Sequence, residues 1–256
     1  MYYPKQMQYL LDQTLLQYVS YTEEIIESLQ DFVLCFWEMK PKTLEVMNIR
    51  DVIVTDGCID LVMNYKEKLV GFTGMSKTDF DFVINAPAEY YGIRLKPGAF
   101  EQLIGKPATE AMDSFIPLEK LKSDFDSIKF FSLSFVECKE YLKDYIQKLI
   151  YGKTPNKFVG LFDELSNKLP LTTKELYDLL NYSPRQCQRL FMQHFGLSPK
   201  LVISIIRFQQ CLDILISEKS KEILEITNYY DQAHFINDFK KNMGLTPFEY
   251  MKKING

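Results

Sequence analysis

Arg185, Gln186, Gln188 and Arg189 crowd one stretch, "SPRQCQRLF", and Gln232, Ala233, His234, Asn237 and Lys240 crowd another, "YDQAHFINDFKK". Arg, Gln and Asn carry forked polar groups that match guanine or adenine edges in a major groove, and Lys suits phosphate. Ala233 has no hydrogen bond to give and suits a thymine methyl. Apolar residues are interleaved at helical spacing: Cys187, Leu190 and Phe191 in the first stretch, Phe235 and Phe239 in the second. Each stretch therefore predicts a helix that buries one side and turns the other toward a partner. Arg185, Gln188, Arg189 and Met192 share the outward side of the first helix; Ala233, Asn237 and Lys240 or Lys241 share that of the second.

Residues suited to other chemistry are sparse. The only histidines are His194 and His234, so a histidine metal site or catalytic triad farther upstream is ruled out. His194 is expected to serve the end of its helix. His234 is open between contacting a base or phosphate and capping its helix. Cys35, Cys58, Cys138, Cys187 and Cys211 are odd in number and widely spaced, which predicts reduced thiols rather than disulfides or a compact zinc site. Asp56, Cys58 and Asp60 in "TDGCID" read as a turn entering a strand. No catalysis and no cofactor are expected.

The two reading stretches belong to a repeat. "YSPRQCQRLFMQHFGLSP" aligns with "YDQAHFINDFKKNMGLTP" at an offset of 48 residues, matching Phe191 to Phe239, Gly196 to Gly244 and Pro199 to Pro247. Ser183 and Asp231 stand at matching positions as helix N-caps, and Pro184 suits the first helical position. Thr172 with Glu175 predicts a capping box before "LYDLL", and Ser220 precedes "KEILEIT". Asn181 and Asn228 close these leading helices, because Asn tolerates the left-handed conformation. Helix, tight turn, helix results twice. The apolar "KLVISIIRFQQCLDILIS" between the copies predicts a long helix holding the two readers apart, and successive major grooves on one side of a duplex lie ~34 Å apart.

Upstream, the runs "DFVLCFWEM", "LEVMNIRDVIV", "IDLVMNY", "LVGFTG", "FDFVI" and "YYGIRL" predict antiparallel strands of a small barrel or sandwich. Phe135, Cys138, Leu142, Tyr145, Ile146 and Leu149 then mark an amphipathic helix, packed only within its own domain or also used as the helix of a homodimer. Phe158, Leu161, Phe162, Leu165 and Leu169 mark a second. "YGKTPN" is the predicted hinge. The expected fold is α+β in two domains: residues 1–152, β-rich with a helical end, and residues 153–256, all-α with two helix-turn-helix units. Trp37, Phe36 and the tyrosines fill a core or line an effector pocket.

The 256 residues include 46% hydrophobic and 25% charged, a globular composition, with no apolar run approaching a membrane span. A soluble, cytoplasmic protein is expected. The net charge is -4, but it divides unevenly: residues 1–170 carry 19 basic and 25 acidic groups, whereas residues 171–256 carry 11 and 9. The reading half is the more basic one.

Over about residues 165–256 these motifs resemble the AraC/XylS (arabinose-operon regulator) family of bacterial transcription regulators. "YYDQAHFINDFKKNMGLTPFEY" matches its second helix-turn-helix signature and "SPRQCQRLFMQHFGLSP" its first; Arg207 stands at its linker-helix arginine. The resemblance implies base-reading roles for Arg185, Gln188, Arg189, Gln232, Ala233 and Asn237, double-stranded DNA as partner, and contact with RNA polymerase. "VTDGCIDLVMNY", "GIRLKPGAF" and "FIPLEKL" look like the sensory half of a subgroup, which implies a small-molecule effector or dimerisation. Tyr177 and Leu224 replace the usual small Ala, and Asn181 and Asn228 the usual turn Gly. The alternative is a small-molecule or protein-interaction sensor whose helix-turn-helix units no longer bind DNA.

Overall fold

The computed structural model describes residues 2–5, 17–42, 47–74, 80–86, 88–216, 229 and 231–255; for 47–53, 80–86 and 253–255 only the backbone is described. Among the described residues the N-terminal half holds eight strands: β1 (Val19–Glu24), β2 (Val33–Pro41), β3 (Met47–Ile53), β4 (Ile59–Asn64), β5 (Leu69–Gly74), β6 (Phe80–Ala86), β7 (Tyr90–Leu95) and β8 (Phe115–Pro117). Six form one antiparallel sheet in the order β1-β2-β7-β4-β5-β8, and β3 pairs with β6 as a separate ribbon. The six sequence runs between Asp31 and Leu95 supply β2 to β7. The edge strands β1 and β8 complete the larger sheet.

Neighbouring residues on a strand face opposite sides, and the sheet uses both. Phe36, Tyr91 and Ile93 face one core. Helices pack into that core: α1 (Ala99–Ile104), through Ala99, Phe100 and Leu103, the short α2 (Leu118–Leu121) and α3 (Ser127–Phe130), through Leu118 and Phe130, and α4 (Phe135–Ile150). Ser134 and Glu137 make a complete capping box at the start of α4. Its stripe Phe135, Cys138, Leu142 and Ile146 is buried within this core.

On the other side of the sheet, Cys35, Trp37, Met39 and Tyr90 form a second cluster. Arg94, 5% exposed, lies 3.3 Å from Asp60, 3.7 Å from Glu23 and 3.9 Å from Asp56. A buried cation is tolerable only with such partners. Trp37 donates from Nε1 to Asp60 at 2.9 Å and lies flat on Gly92, where any Cβ would stand 2.1 Å from the indole. Asp56 Oδ1 accepts from the Cys58 amide at 2.9 Å, with Gly57 at φ +78°. "TDGCID" is thus the turn that its residues imply.

The C-terminal half is helical: α5 (Leu161–Asn167), α6 (Thr173–Leu180), α7 (Pro184–Phe195), α8 (Pro199–Ile216), α9 (Gln232–Met243) and α10 (Pro247–Asn255). Of the predicted stripe 158–169, only 161–167 is helical, with Phe158 in the turn before it. The helix expected after Ser220, with Leu224, Asn228 and Tyr230, lies outside the described residues.

The two halves are packed together. Tyr2 sits against Phe162 and donates to the Asp56 carbonyl at 2.8 Å. The buried amide of Gln209 on α8 accepts from the Lys5 N–H at 2.7 Å and donates to the Thr55 carbonyl at 3.1 Å. Val54 lies in the same cluster as Phe208 and Phe239. The predicted hinge is tied down as well: Gln102 on α1 donates to the Thr154 carbonyl and accepts from the Asn156 amide.

Candidate nucleic-acid interface

In the first unit, α6 begins at Thr172, whose hydroxyl accepts from the Glu175 amide at 3.2 Å. The reciprocal half of the expected capping box is shifted by one residue: Glu175 accepts from the Leu171 amide at 3.0 Å instead. Asn181 ends the helix at φ +53°, ψ +45°, and the next amide, of Tyr182, reaches back to the Tyr177 carbonyl. This left-handed closure turns the chain within two residues. Ser183 then caps α7 through the Gln186 amide, with Pro184 at its first position. Leu176, Cys187 and Phe191 are fully buried between α6, α7 and α8. Tyr177, at the usual small-residue position, is half-buried beside this core.

Arg185, Gln186, Gln188 and Arg189 are exposed on the opposite side of α7. Neither arginine is in an ion pair among the described residues. A solvated, unpaired arginine fork keeps all its donors for an incoming acceptor.

The second helix of the other copy, α9, repeats the pattern of α7. Asp231 caps α9 by accepting from the His234 amide at 2.7 Å, so the cap is an aspartate and the His234 side chain is not used for it. Phe235, Phe239 and Met243 are buried with Tyr229 and Tyr250. Gln232, Ala233, His234, Asn237, Lys240 and Lys241 are all exposed. Gly196 and Gly244 close α7 and α9 at φ +70° and +69°, the conformation for which the repeat keeps glycine.

A single helix carries both units. The 18 residues of α8 span about 27 Å. Val202, Ile203, Ile205 and Ile206 lie in the core of the first unit; Phe208, Cys211, Leu212 and Leu215 lie in that of the second. Arg207, between these sets, lays its guanidinium over the Tyr229 ring at 5.6 Å.

The His194 ring is buried and stacks on Phe158 at 3.8 Å, and Nδ1 is 3.1 Å from Glu101 of α1. Beside it, Gln193 donates to the other Glu101 oxygen at 2.9 Å. The residue stands in the last turn of α7, as expected, and also takes part in the contact between halves. Burial holds its pKa below the ordinary value, against the opposing pull of Glu101. Sequence reasoning missed Glu101 and Gln209, because no local pattern marks a residue that bonds 90 or more positions away.

Among the described residues no group of three or more His, Cys, Asp or Glu is placed to hold a metal, and no helix is long and apolar enough to cross a membrane. All five cysteines are buried and unpaired with one another.

Residues 176–253 match the helix-turn-helix domain family, and residues 26–117 match a domain of unknown function (DUF6597). Residues 176–253 therefore form a helix-turn-helix domain that follows a β-rich N-terminal part. An uncharacterized HTH-type transcriptional regulator of Haemophilus influenzae is 29% identical over 85 residues, 32% of this chain, and the chain spans 28% of that relative's length. The C-terminal domain of AraT, a response regulator from Geobacillus stearothermophilus, is 30% identical over 36% of this chain and 76% of its own, with a TM-score of 0.31. ToxT from Vibrio cholerae is 9% identical over 93% of this chain and all of its own, with a TM-score of 0.43.

Proposed function

We propose that the chain is a sequence-selective DNA-binding transcription regulator of AraC/XylS type, residues 153–256 binding duplex DNA and residues 1–152 controlling them. One observation supports this above the others: two capped helices, each dry on one side, present exposed Arg, Gln, Asn and Lys side chains on the other. Both are mounted on one continuous helix. Arg185, Gln186, Gln188 and Arg189 of α7, with Gln232, Ala233, His234 and Asn237 of α9, contact bases, and Lys240 contacts phosphate. An effector or partner at the N-terminal half acts by altering its packing on α7 and α8. Duplex binding measured across salt concentrations tests the reading. Affinity falls steeply as salt rises, because neutralised phosphates release counterions; equal affinity for scrambled duplexes at every salt concentration supports the non-DNA alternative.

A further inference from the structure

A cleft of about 420 Å³ lies between the two helix-turn-helix units. Lys200 and Arg207 of α8, Thr172 and Thr173 at the start of α6, and His234, Asp238 and Lys241 of α9 line it, so that His234 stands at once on the reading end of α9 and at the cleft. Its charge is unbalanced. Elsewhere in the chain, Lys5, Lys96, Lys139, Lys143 and Arg94 each have a carboxylate partner. Lys200, Arg207 and Lys241 have none among the described residues, and the Nε of Arg207 is buried without any acceptor. The acid in the lining, Asp238, already accepts from the Tyr229 hydroxyl at 2.6 Å.

Position gives this charge a use. On α9 the cleft residues Asp238 and Lys241 occupy the flank beside the reading positions Gln232, Ala233 and Asn237, and α6 leads directly into the reading helix α7. At the start of α6 the Thr172 hydroxyl accepts from the Glu175 amide, while the Thr173 and Lys174 amides have no partners inside their own helix, where the dipole favours an anion. We propose that this cleft is a phosphate site, gripping the backbone of the DNA strand that crosses between the two recognition helices. The proposal rests on the DNA-binding function above and adds to it a contact that supplies affinity and register without reading sequence.

The test uses the full chain and two probes: a duplex enriched from a random library, and a scrambled duplex of the same composition. Lys200 and Lys241 are exposed, so the Lys200→Ala/Lys241→Ala variant leaves the cores intact. It is expected to lose affinity for both duplexes by the same factor and to flatten the slope of log affinity against log salt by roughly 1 per lysine. Replacing both by Arg is expected to restore the slope. If the wild type binds DNA and the alanine variant keeps the full slope, or loses affinity for the enriched duplex alone, the cleft assignment is overturned while the function stands. Calorimetry with inorganic phosphate separates the source. Saturable binding to the DNA-free wild type, lost in a variant whose DNA slope is unchanged, assigns the cleft to a free phosphoryl ligand and overturns the strand contact. A wild type that binds no duplex at any salt removes the function and the cleft together.

Discussion

Side chains of the same helix do opposite work, and their substitutions separate accordingly. Arg189 is exposed and has no ion-pair partner among the described residues, so Arg189→Ala is expected to leave stability within about 0.5 kcal/mol. It should relax preference at one base pair by ~1 to 3 kcal/mol, read from binding to single-site variants of an enriched duplex. Phe191, two positions on, is 0% exposed, and Phe191→Ala should cost about 3 to 5 kcal/mol in denaturant unfolding. His194 adds a pH dependence. Its folded pKa lies below the unfolded value, so its contribution is complete above about pH 6.5 and is lost as pH falls through the folded pKa, where the unfolded chain takes up the proton more readily. Unfolding at pH 7.5 and pH 5.5 should show less stability at the lower pH, by a margin that shrinks in His194→Phe. A margin unchanged by that substitution would remove His194 as its source.

At the scale of elements, the repeat offers an internal control. Gly196 and Gly244 hold equivalent positions at nearly the same φ, yet a Cβ at Gly196 would stand 2.4 Å from Met112, whereas nothing lies within 4 Å at Gly244. Gly244→Ala should cost about 1 to 2 kcal/mol for left-handed backbone alone. Gly196→Ala should cost measurably more, because Met112 must also move; equal losses would contradict the packing. The local parts of these units were legible in the sequence. Ser183, Asp231 and Asn181 announce caps and turns through their own chemistry, and Phe191 and Phe239 mark a buried side by period. Six strands were legible through β-branched and aromatic runs. β8 spans three residues, too few for a period, and β1, "VSYTEE", is an edge strand whose last four residues hold two acids, so neither declares itself. Met112 against Gly196, and Glu101 against His194, arise from tertiary packing alone, which no local spacing encodes.

For the whole molecule, two of the cores draw residues from both halves. Tyr2 and Met112 lie in the cluster of the first helix-turn-helix unit and Val54 in that of the second, while Gln209 bonds to Lys5 and Thr55. The halves are therefore expected to unfold together. Trp37 is the only tryptophan and lies in the N-terminal sheet, so its fluorescence follows that half, while the helical circular dichroism signal is weighted toward the other. Coincident denaturation curves are expected, and two separated midpoints would show independent domains. The same packing holds α7 and α9 on one frame, which is what reading a duplex at two places requires. The most direct test is selection of bound duplexes from a random library by the full chain. The account expects enrichment of two short conserved blocks about one helical turn apart, ~10 base pairs between centres; a bound pool with no enriched sequence, or a single block indifferent to substitutions on α9, would contradict it.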